Sequence, residues 1–254
     1  MNGPEQIEKE LDAWQQAGLT PRLFLRDDDA IEDTVALRRL CELTLRFRVP
    51  LLLAIIPDPA RESLVPLLSS HPHVTPAVHG FRHQRHSPKG EKTSELGDHR
   101  PAATVLGELR QGREKLVRLF AGNVSGILVP PWNRISATIR DRVGEAGFEA
   151  ISAHGWDTDG SAVAMVNAHV DIIHWSGGKV GREADWVFSQ LATNLEMARQ
   201  CGGAPVGVLL HHLDHDARAW SSLQELFIWS AAHEQIAWVA ADSLIAEARK
   251  RISP

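Results

Sequence analysis

The sequence is poor in cysteine, in long apolar runs and in excess positive charge, and each shortage excludes a class of protein. Its two cysteines, Cys41 and Cys201, are too few for a disulfide framework. No apolar run reaches the roughly 18 to 20 residues that span a bilayer. With 27 basic and 32 acidic side chains, the formal net charge is -5, whereas nucleic-acid-binding proteins usually have a basic face.

Two further features that the sequence lacks argue against a nucleotide-binding protein and against a secreted protein. The sequence has neither a Rossmann nor a phosphate-binding-loop glycine signature. Its first residues lack the basic region and apolar run of a secretion signal. We therefore expect a soluble, cytoplasmic protein that binds a small molecule or carbohydrate and contacts neither nucleic acid nor a membrane.

Short apolar runs are present throughout the chain, and they alternate with helical patterns. Several runs are apolar at every position, which is typical of strands covered on both faces. The predicted strands are Arg22–Arg26, Leu51–Ile56, Val74–His79, Gly126–Val129, Glu149–Ser152, Asp171–His174, Pro205–Leu210 and Ile236–Val239.

The helical patterns between these strands predict the architecture. One helix has apolar residues at i, i+3, i+4 and i+8 from Leu37, and a second is predicted from the N-cap Ser136 to a stop at Gly147. A third begins near Ala184 and ends near Gly202. Alternating strands and helices indicate a parallel sheet. Seven or eight such units favour an irregular (β/α) barrel, similar to a TIM barrel, in a single domain over residues 1–254.

Active sites of such folds lie at the carboxyl ends of the strands, and three carboxylates follow the first strand. Asp27, Asp28 and Asp29 repel one another unless a cation or hydrogen-bond donors neutralise them. A solvated acidic turn, or a helix cap made by Asp29, would equally explain the triplet on its own. Its position at the end of a strand favours a functional role.

The segment HGFRH follows the third strand and contains the strongest candidate metal ligands. His79 and His83 are four residues apart, so they would project to the same side if the segment formed one helical turn. Gly80 would allow a tight turn directly after the first ligand. Because the chain has 13 histidines, this spacing alone is moderate evidence, and we predict that His86 lies at the surface.

Polar and aromatic residues follow three further strands. Trp132 and Arg134 come after two prolines, where the tryptophan either walls a pocket or packs in a rigid turn. Trp156 lies in the segment HGWDTDG, and His211 directly follows the apolar strand that ends in GVLL. The polar stretch Ser87–Arg100 predicts a long loop, and such loops are often functional.

These segments, in this order, resemble the polysaccharide deacetylase (NodB-homology) family over roughly Leu23 to Asp216. FLRDDDA resembles the family's T-F-D-D-G segment, HGFRH its H-x-x-x-H metal motif and GVLLHH its final L-L-H segment. LVPPWN is similar to R-P-P-Y-G, RVPLLLAIIP to the V-P-A-T-F-F strand, and GWDTDG is a weak echo of D-x-x-D-W. The resemblance implies an irregular (β/α) barrel.

The resemblance also implies roles for individual residues. Asp29, His79 and His83 would bind a divalent metal, Zn²⁺ by preference, although Fe, Co or Ni would suit the same ligands. Asp28 would be the general base and His211 the general acid. Shifting the alignment by one residue would instead make Asp27 the base and Asp28 the ligand.

The sequence departs from the family motifs at three positions. The arginine of the third motif is replaced by Val129, with Arg134 as the candidate to take over its role. The glycine after the aspartates is Ala30, and the motif tyrosine is Trp132. We expect these departures to change which substrate is bound more than which reaction is catalysed.

The predicted function is metal-dependent hydrolysis of an amide C–N bond, as in deacetylation of an N-acetylated sugar or a related small amide. Trp132, Arg134 and Trp156 are the predicted substrate-binding residues. The main alternative is a non-catalytic carbohydrate-binding or regulatory protein on the same fold. Phosphoester hydrolysis and metal-independent amide hydrolysis are further alternatives.

Overall fold

The computed structural model describes residues 2–156, 161 and 163–250 of the chain. Within these residues the strands are β1 (Arg22–Ala30), β2 (Leu51–Ile55), β3 (Val74–His79), β4 (Ile127–Val129), β5 (Ala150–Ile151), β6 (Ala164–Met165), β7 (Ala168–Asp171), β8 (Ile173–His174), β9 (Val180–Gly181), β10 (Val206–Leu210) and β11 (Ala237–Trp238). The helices are α1 (Gly3–Gln16), α2 (Val35–Arg46), α3 (Leu64–Ser69), α4 (Ala102–Leu119), α5 (Ala137–Arg140), α6 (Ala184–Gln200), α7 (Ala217–Ala231) and α8 (Ile245–Lys250).

The main sheet is parallel and curls into an irregular barrel, as the sequence predicted. Its strands follow the order β6-β5-β4-β3-β2-β1-β10-β7, and β11 pairs with the first two residues of β1. The strands β6 and β7 are nearly continuous: β6 pairs with β5 and β7 pairs with β10. A bridge between His154, just beyond β5, and Ala168 of β7 joins the two edges. All of these pairings are parallel, so the carboxyl ends of the barrel strands share one rim.

The strands form the core because their side chains are apolar on both faces. β2 and β10 are buried at every position. The buried face of α2 includes Leu37, Leu40 and Cys41, as the helical spacing predicted, whereas Leu45 of the same predicted face is exposed. At the amino end, α1 packs against α6, and the buried Trp14 indole donates a hydrogen bond to the Leu195 carbonyl oxygen. Burial of each large apolar side chain contributes roughly 1.5–3 kcal/mol to this packing.

None of the helices that the structure describes has the length and the hydrophobicity needed to cross a membrane. Instead, several are short or amphipathic. The two longest, α4 and α6, have 18 and 17 residues and carry charged side chains along their exposed faces.

Three predicted elements differ substantially from the structure. The first strand was predicted to end at Arg26, but β1 continues to Ala30, so Asp27, Asp28 and Asp29 lie within the strand and not after it. The predicted strand Asp171–His174 begins too late: the barrel strand β7 ends at Asp171, and Ile173–His174 (β8) instead pairs antiparallel with β9 in a hairpin. The predicted helix from Ser136 to Gly147 is divided into α5 and a 3-10 turn over Val143–Ala146. Ser136 does cap α5 through its hydroxyl group, and Gly147 ends the turn with φ 89°.

Candidate metal centre and active-site cavity

A bulge near the end of β1 directs two neighbouring carboxylates into one cavity. The register of β1 against β2 shifts between Asp27 and Ala30, where β1 has one residue more than β2. Asp29 adopts a left-handed backbone conformation there, with φ 73°. Neighbouring side chains of a regular strand point to opposite faces, but a bulge changes their direction. Asp28 and Asp29 consequently both line the cavity.

His83 reaches the same cavity through a bend, and the predicted helical turn is wrong. No helix forms between His79 and His83, and both Gly80 (φ 57°) and His83 (φ 56°) have left-handed backbone conformations. A Cβ atom at Gly80 would lie 2.1 Å from Glu95 Oε2 and 2.4 Å from Pro131 Cγ. Gly80 is therefore required both by its φ angle and by the space available, as its predicted role implied.

Glu95, from the predicted loop Ser87–Arg100, holds this bend in place. Its buried carboxylate accepts hydrogen bonds from the backbone N–H groups of Phe81 (3.1 Å) and Arg82 (2.8 Å). Buried backbone N–H groups need hydrogen-bond partners, and Glu95 supplies them at these two positions. The loop thus fixes the backbone between the two candidate metal ligands.

Asp29, His79 and His83 form the candidate metal site. The Nε2 atoms of His79 and His83 each lie 3.2 Å from Asp29 Oδ1, and the three ligand atoms are all within 4.8 Å of one another. His79 Nδ1 is 3.0 Å from the carbonyl oxygen of Val129. A proton on Nδ1 would bond to that carbonyl and leave the Nε2 lone pair free for a metal. Among the residues that the structure describes, this is the one group of three such ligands.

The electrostatics of Asp29 and His83 suit metal ligation, whereas His79 must lose a proton to bind a metal. Burial alone would raise the pKa of Asp29, but the His79 imidazole 3.2 Å away and the charges of the other nearby histidines hold that pKa well below its ordinary value. Burial lowers the pKa of His83, and the neighbouring His79 lowers it further. Burial would also lower the pKa of His79, yet Asp28 and Asp29 outweigh it and raise that pKa. An ionised Asp29 and a neutral His83 are the states that bind cations.

Arg26 pairs with Asp28 in the interior of the barrel. Both side chains are buried, with Arg26 Nε 2.9 Å from Asp28 Oδ1 and Nη2 donating to Oδ2 at 3.0 Å. The other guanidinium nitrogen, Nη1, donates to the carbonyl oxygens of Ser152 (2.7 Å) and Ala153 (2.9 Å). This two-point contact fixes the orientation of the Asp28 carboxylate.

The arginine that faces the aspartates therefore comes from β1, whereas the sequence had suggested Arg134. Arg134 lies at the cavity but is exposed, and its Nη1 donates to the carbonyl oxygen of Thr93 (2.9 Å). The position of the family's motif arginine, Val129, is fully buried in β4. Sequence reasoning missed Arg26 because it lay inside a predicted strand and not after one.

His211 lies between two carboxylates at the end of β10. Its Nε2 atom is 3.9 Å from Asp28 Oδ2, and its Nδ1 atom is 3.9 Å from Asp171 Oδ1. Asp171 is itself held by hydrogen bonds from the Ile173 backbone N–H (2.9 Å) and the Trp175 indole (2.7 Å). The Trp175 ring also contacts the His211 ring edge-on at 4.7 Å. These contacts define the orientation of His211 from two sides.

Asp27 takes no part in the cavity, although it belongs to the same triplet. Its Oδ1 atom accepts from the backbone N–H of His212 (2.8 Å), and Oδ2 is 2.5 Å from His212 Nδ1. Burial would lower the pKa of His212, but the adjacent Asp27 outweighs it and raises that pKa. The pair therefore connects the end of β1 to the turn after β10.

His215, in the same turn, is expected to make the fold sensitive to acid. Both of its ring nitrogens are buried without hydrogen-bond partners, and burial lowers its pKa to about 4. An unfolded histidine has a pKa of about 6.5. Between these values the unfolded chain binds a proton that the folded chain does not, so the free energy of unfolding decreases as the pH falls through this window.

The matching variant is His215→Phe, which keeps a ring against Trp220. Urea denaturation at neutral pH and near pH 5 should show that the free energy of unfolding falls less on acidification in the variant than in the wild-type protein. Equal losses in both proteins would contradict this assignment.

The cavity has a volume of about 790 Å³ and lies at the carboxyl rim of the barrel. It contains the candidate metal ligands and the proposed acid and base, and also three tryptophans that offer apolar walls. The lining residues are Asp28, Asp29, His79, His83, Trp132, Asn133, Arg134, His154, His169, Asp171, Ile173, Trp175, Ser176, Lys179, Arg182, Trp186, Gln190, His211 and Asp214.

Two of the three predicted substrate-binding residues line the cavity, and the third does not. Trp132 lines the cavity, and its ring centroid is 4.2 Å from that of His83. Arg134 lines it as well, whereas Trp156 is not among the lining residues. The indole of Trp156 stacks on His169 at 4.0 Å and donates to Asn194 (2.8 Å), so it supports the cavity wall from behind. Residues 157–160, which complete the HGWDTDG segment, lie outside the described residues.

Several lining residues were missed by the sequence analysis, above all those of the β8–β9 hairpin and the start of α6. Trp175, Lys179, Arg182 and Trp186 belong to this part of the wall. Asp171 was also missed, because the predicted strand begins at this residue. Candidate site residues were sought at the carboxyl ends of strands, and β7 in fact ends at Asp171. A correct strand boundary would therefore have identified Asp171 as a candidate.

Comparisons with known proteins rest on structure alone, because no family model and no curated protein sequence matches this chain. A Mycobacterium smegmatis protein named as a polysaccharide deacetylase is 16% identical, with a TM-score of 0.67 over 93% of both chains. An allantoinase, PuuE, is 13% identical, with a TM-score of 0.64 over 93% of this chain and 92% of that one.

A third similar structure is a family 4 acetyl xylan esterase from Clostridium thermocellum, solved in complex with a cobalt ion. It is 12% identical, with a TM-score of 0.53 over 89% of this chain and 91% of that one. At these identities the likeness establishes the fold. This chain has the (β/α)-barrel fold of the polysaccharide deacetylases, which confirms at the level of structure the resemblance indicated by its sequence motifs.

Proposed function

We propose that this protein is a metal-dependent hydrolase that cleaves an amide C–N bond, as in the deacetylation of an N-acetylated sugar or a related small amide. The observation that carries the proposal is the convergence of Asp29, His79 and His83 beside Asp28 and His211 in one cavity. Three potential ligands, a carboxylate and an imidazole are the groups that hydrolysis by activated water requires.

The residues at the site fit a divalent metal. Asp29 Oδ1 is buried without a hydrogen-bond partner, although two imidazole nitrogens lie 3.2 Å away. A cation held by Asp29, His79 and His83 would satisfy that oxygen and both nitrogens. Two imidazoles and one carboxylate suit Zn²⁺, and also Fe, Co or Ni. When bound, such an ion lowers the pKa of a water molecule and polarises a carbonyl group.

Asp28 is the proposed general base. Its carboxylate lines the cavity next to Asp29, Arg26 Nη2 donates to its Oδ2 atom, and Arg26 Nε lies 2.9 Å from its Oδ1 atom. In its ionised form this carboxylate would accept a proton from the attacking water. The engagement of Asp27 with His212 supports Asp28 and Asp29 as base and ligand over the alternative pair Asp27 and Asp28.

His211 is the proposed general acid. An amine is a poor leaving group until its nitrogen is protonated, so an acid must be positioned near the scissile bond. The imidazole of His211 lines the cavity on the side of Asp28, and Asp171 lies 3.9 Å from its Nδ1 atom. As the acid, the imidazole would donate a proton from Nε2 to the departing nitrogen.

Replacement of His211 by alanine should lower kcat by roughly 10²- to 10⁴-fold, the usual contribution of a general acid, and leave metal content unchanged. The defect should shrink on an acetylated nitroaniline, whose leaving group needs little protonation. Steady-state kinetics on an aliphatic amide and on the nitroanilide measure this directly. A defect of equal size on both substrates would contradict the assigned role, and His71→Gln, outside the cavity, serves as the control.

The function itself is tested with purified protein, N-acetylated sugars, simple N-acetyl amides and phenyl phosphate. The proposal predicts acetate release from at least one amide, loss of that activity on chelation and recovery with Zn²⁺ or Co²⁺. Activity that survives complete metal removal would favour metal-independent hydrolysis. Phosphate release alone would favour a phosphoesterase, and sugar binding without turnover would favour a non-catalytic module.

A further inference from the structure

One wall of the cavity contains an arginine, Arg182, for which the described part of the chain supplies no carboxylate partner. This wall consists of the β8–β9 hairpin and the first turns of α6, and it contributes Trp175, Lys179, Arg182, Trp186 and Gln190. Its charged and aromatic groups lie beside the proposed reaction centre, but the hydrolysis described above uses none of them apart from the support that Trp175 gives to Asp171 and His211.

The carboxylates of the cavity are already engaged. Asp28 pairs with Arg26, and Asp29 with the two histidines. Asp171 accepts hydrogen bonds from Ile173 and Trp175. Asp214 lies 3.7 Å from the ammonium group of Lys179. Among the residues that the structure describes, no carboxylate lies within ion-pairing distance of the Arg182 guanidinium, whereas Lys179 already has Asp214.

Arg182 is held rigidly in spite of this missing partner. Its backbone N–H donates to the Ile172 carbonyl oxygen (2.8 Å), and its own carbonyl accepts from the Ser222 hydroxyl (2.7 Å). The guanidinium carbon lies 4.1 Å from the centroid of the Trp186 ring, so the planar group is stacked against an aromatic face. The Nε atom is buried and has no hydrogen-bond partner. The residue is therefore preorganised and incompletely bonded.

A partly buried guanidinium without an anion is energetically unfavourable, and an anionic ligand group would compensate for it. A guanidinium presents a planar fork of donors that matches a carboxylate at two points, and Arg182 lines the cavity. Arg134 is a weaker candidate, because it is exposed and already donates to Thr93.

We propose that Arg182 is the binding site for a carboxylate on the substrate, so that the preferred substrates are acylated amines that also carry a carboxylate group. This inference rests on the proposed function and refines it by naming the substrate class. Arg182 would bind a part of the substrate that does not react, so it contributes to selection and positioning and takes no part in bond cleavage.

The experiment uses matched probes that differ only in charge. N-acetyl ω-amino acids, from N-acetylglycine to N-acetyl-6-aminohexanoic acid, are compared with their primary carboxamides by calorimetric titration and by kinetics, because the series covers a range of distances between amide and carboxylate. For the best length we expect the acid to bind about 10- to 100-fold more tightly than its carboxamide, the effect of a hydrogen-bonded charge pair.

Arg182→Gln should reduce that preference to about twofold or less, and Arg182→Lys should leave an intermediate preference, since it keeps the charge and loses the fork. Arg218→Gln removes one positive charge at the surface, outside the cavity lining, and should leave the preference unchanged. Circular dichroism and thermal unfolding establish that each variant is folded.

The outcomes separate this inference from the proposed function. Binding of the acid that depends on Arg182, without hydrolysis of any probe, would support the carboxylate site and contradict the enzyme. Hydrolysis of acids and carboxamides with equal kcat/KM at every length would support the enzyme and overturn the carboxylate site. An equal preference in the unchanged protein and in Arg182→Gln would also overturn it, as would the absence of detectable acid binding at every length.

Discussion

Alanine at His79 or His83 is expected to remove the bound metal and to lower kcat/KM by about 10³-fold or more, since the electrostatic contribution of a metal to such a reaction is several kcal/mol. Each substitution removes one of three ligands whose atoms lie within 4.8 Å of one another. The remaining two ligands do not form a structural or catalytic site of ordinary affinity. Metal analysis of the dialysed variants and kinetics on the best amide substrate provide the measurement.

The matched control is His86→Ala, three residues beyond His83. His86 belongs to the same segment but does not line the cavity, so its loss should change neither metal content nor kcat/KM appreciably. Equal metal retention by His79→Ala, His83→Ala and His86→Ala would contradict the assignment of the ligands. Reduced activity with full metal content in the first two variants would contradict it equally.

Substitution of Arg26 by methionine is expected to lower the free energy of unfolding by roughly 3–5 kcal/mol, because it leaves the Asp28 carboxylate buried without its partner. Methionine retains much of the side-chain volume, so the loss would reflect charge more than packing. The same change should lower kcat with a smaller effect on KM, since Asp28 would lose the contacts that orient it.

The double variant Arg26→Met/Asp28→Asn separates these two effects. It removes both charges of the pair, so it should recover a large part of the lost stability while remaining inactive. Urea denaturation of the single and double variants forms a complete mutant cycle. If the destabilisation of the double variant equalled the sum of those of the two single variants, the pair would not be coupled as the structure indicates. If Arg26→Met retained normal kcat, Arg26 would have no positioning role.

The fold was predictable because its main determinants are local. Apolar runs of strand length, separated by helical patterns such as that of α2, require a parallel sheet covered by helices. The carboxyl-end rule then placed the Asp triplet, His79 and His211 on the same rim. The structure brings Asp28, Asp29, His79 and His211 to one cavity, whereas Asp27 is bonded to His212.

The details of the site depend on backbone geometry that a residue pattern does not contain. Three consecutive aspartates do not reveal that a bulge sends Asp28 and Asp29 to the cavity and leaves Asp27 with His212. The spacing of His79 and His83 identified the ligands but suggested a helical turn, whereas Gly80 and the distant Glu95 impose a bend. Arg26 was missed for a related reason. Its contact with Asp28 lies within β1, and a strand pattern predicts that a side chain is buried but not which side chain it pairs with.

The central claim, that Asp29, His79 and His83 bind one catalytic metal ion, is tested most directly by anomalous diffraction. Crystals of the unchanged protein grown with Zn²⁺ would be measured above and below the zinc absorption edge. The account predicts a single strong peak about 2 Å from Nε2 of both histidines and from an Asp29 oxygen. An active enzyme whose crystals show no peak there, or show the zinc bound elsewhere, would contradict it.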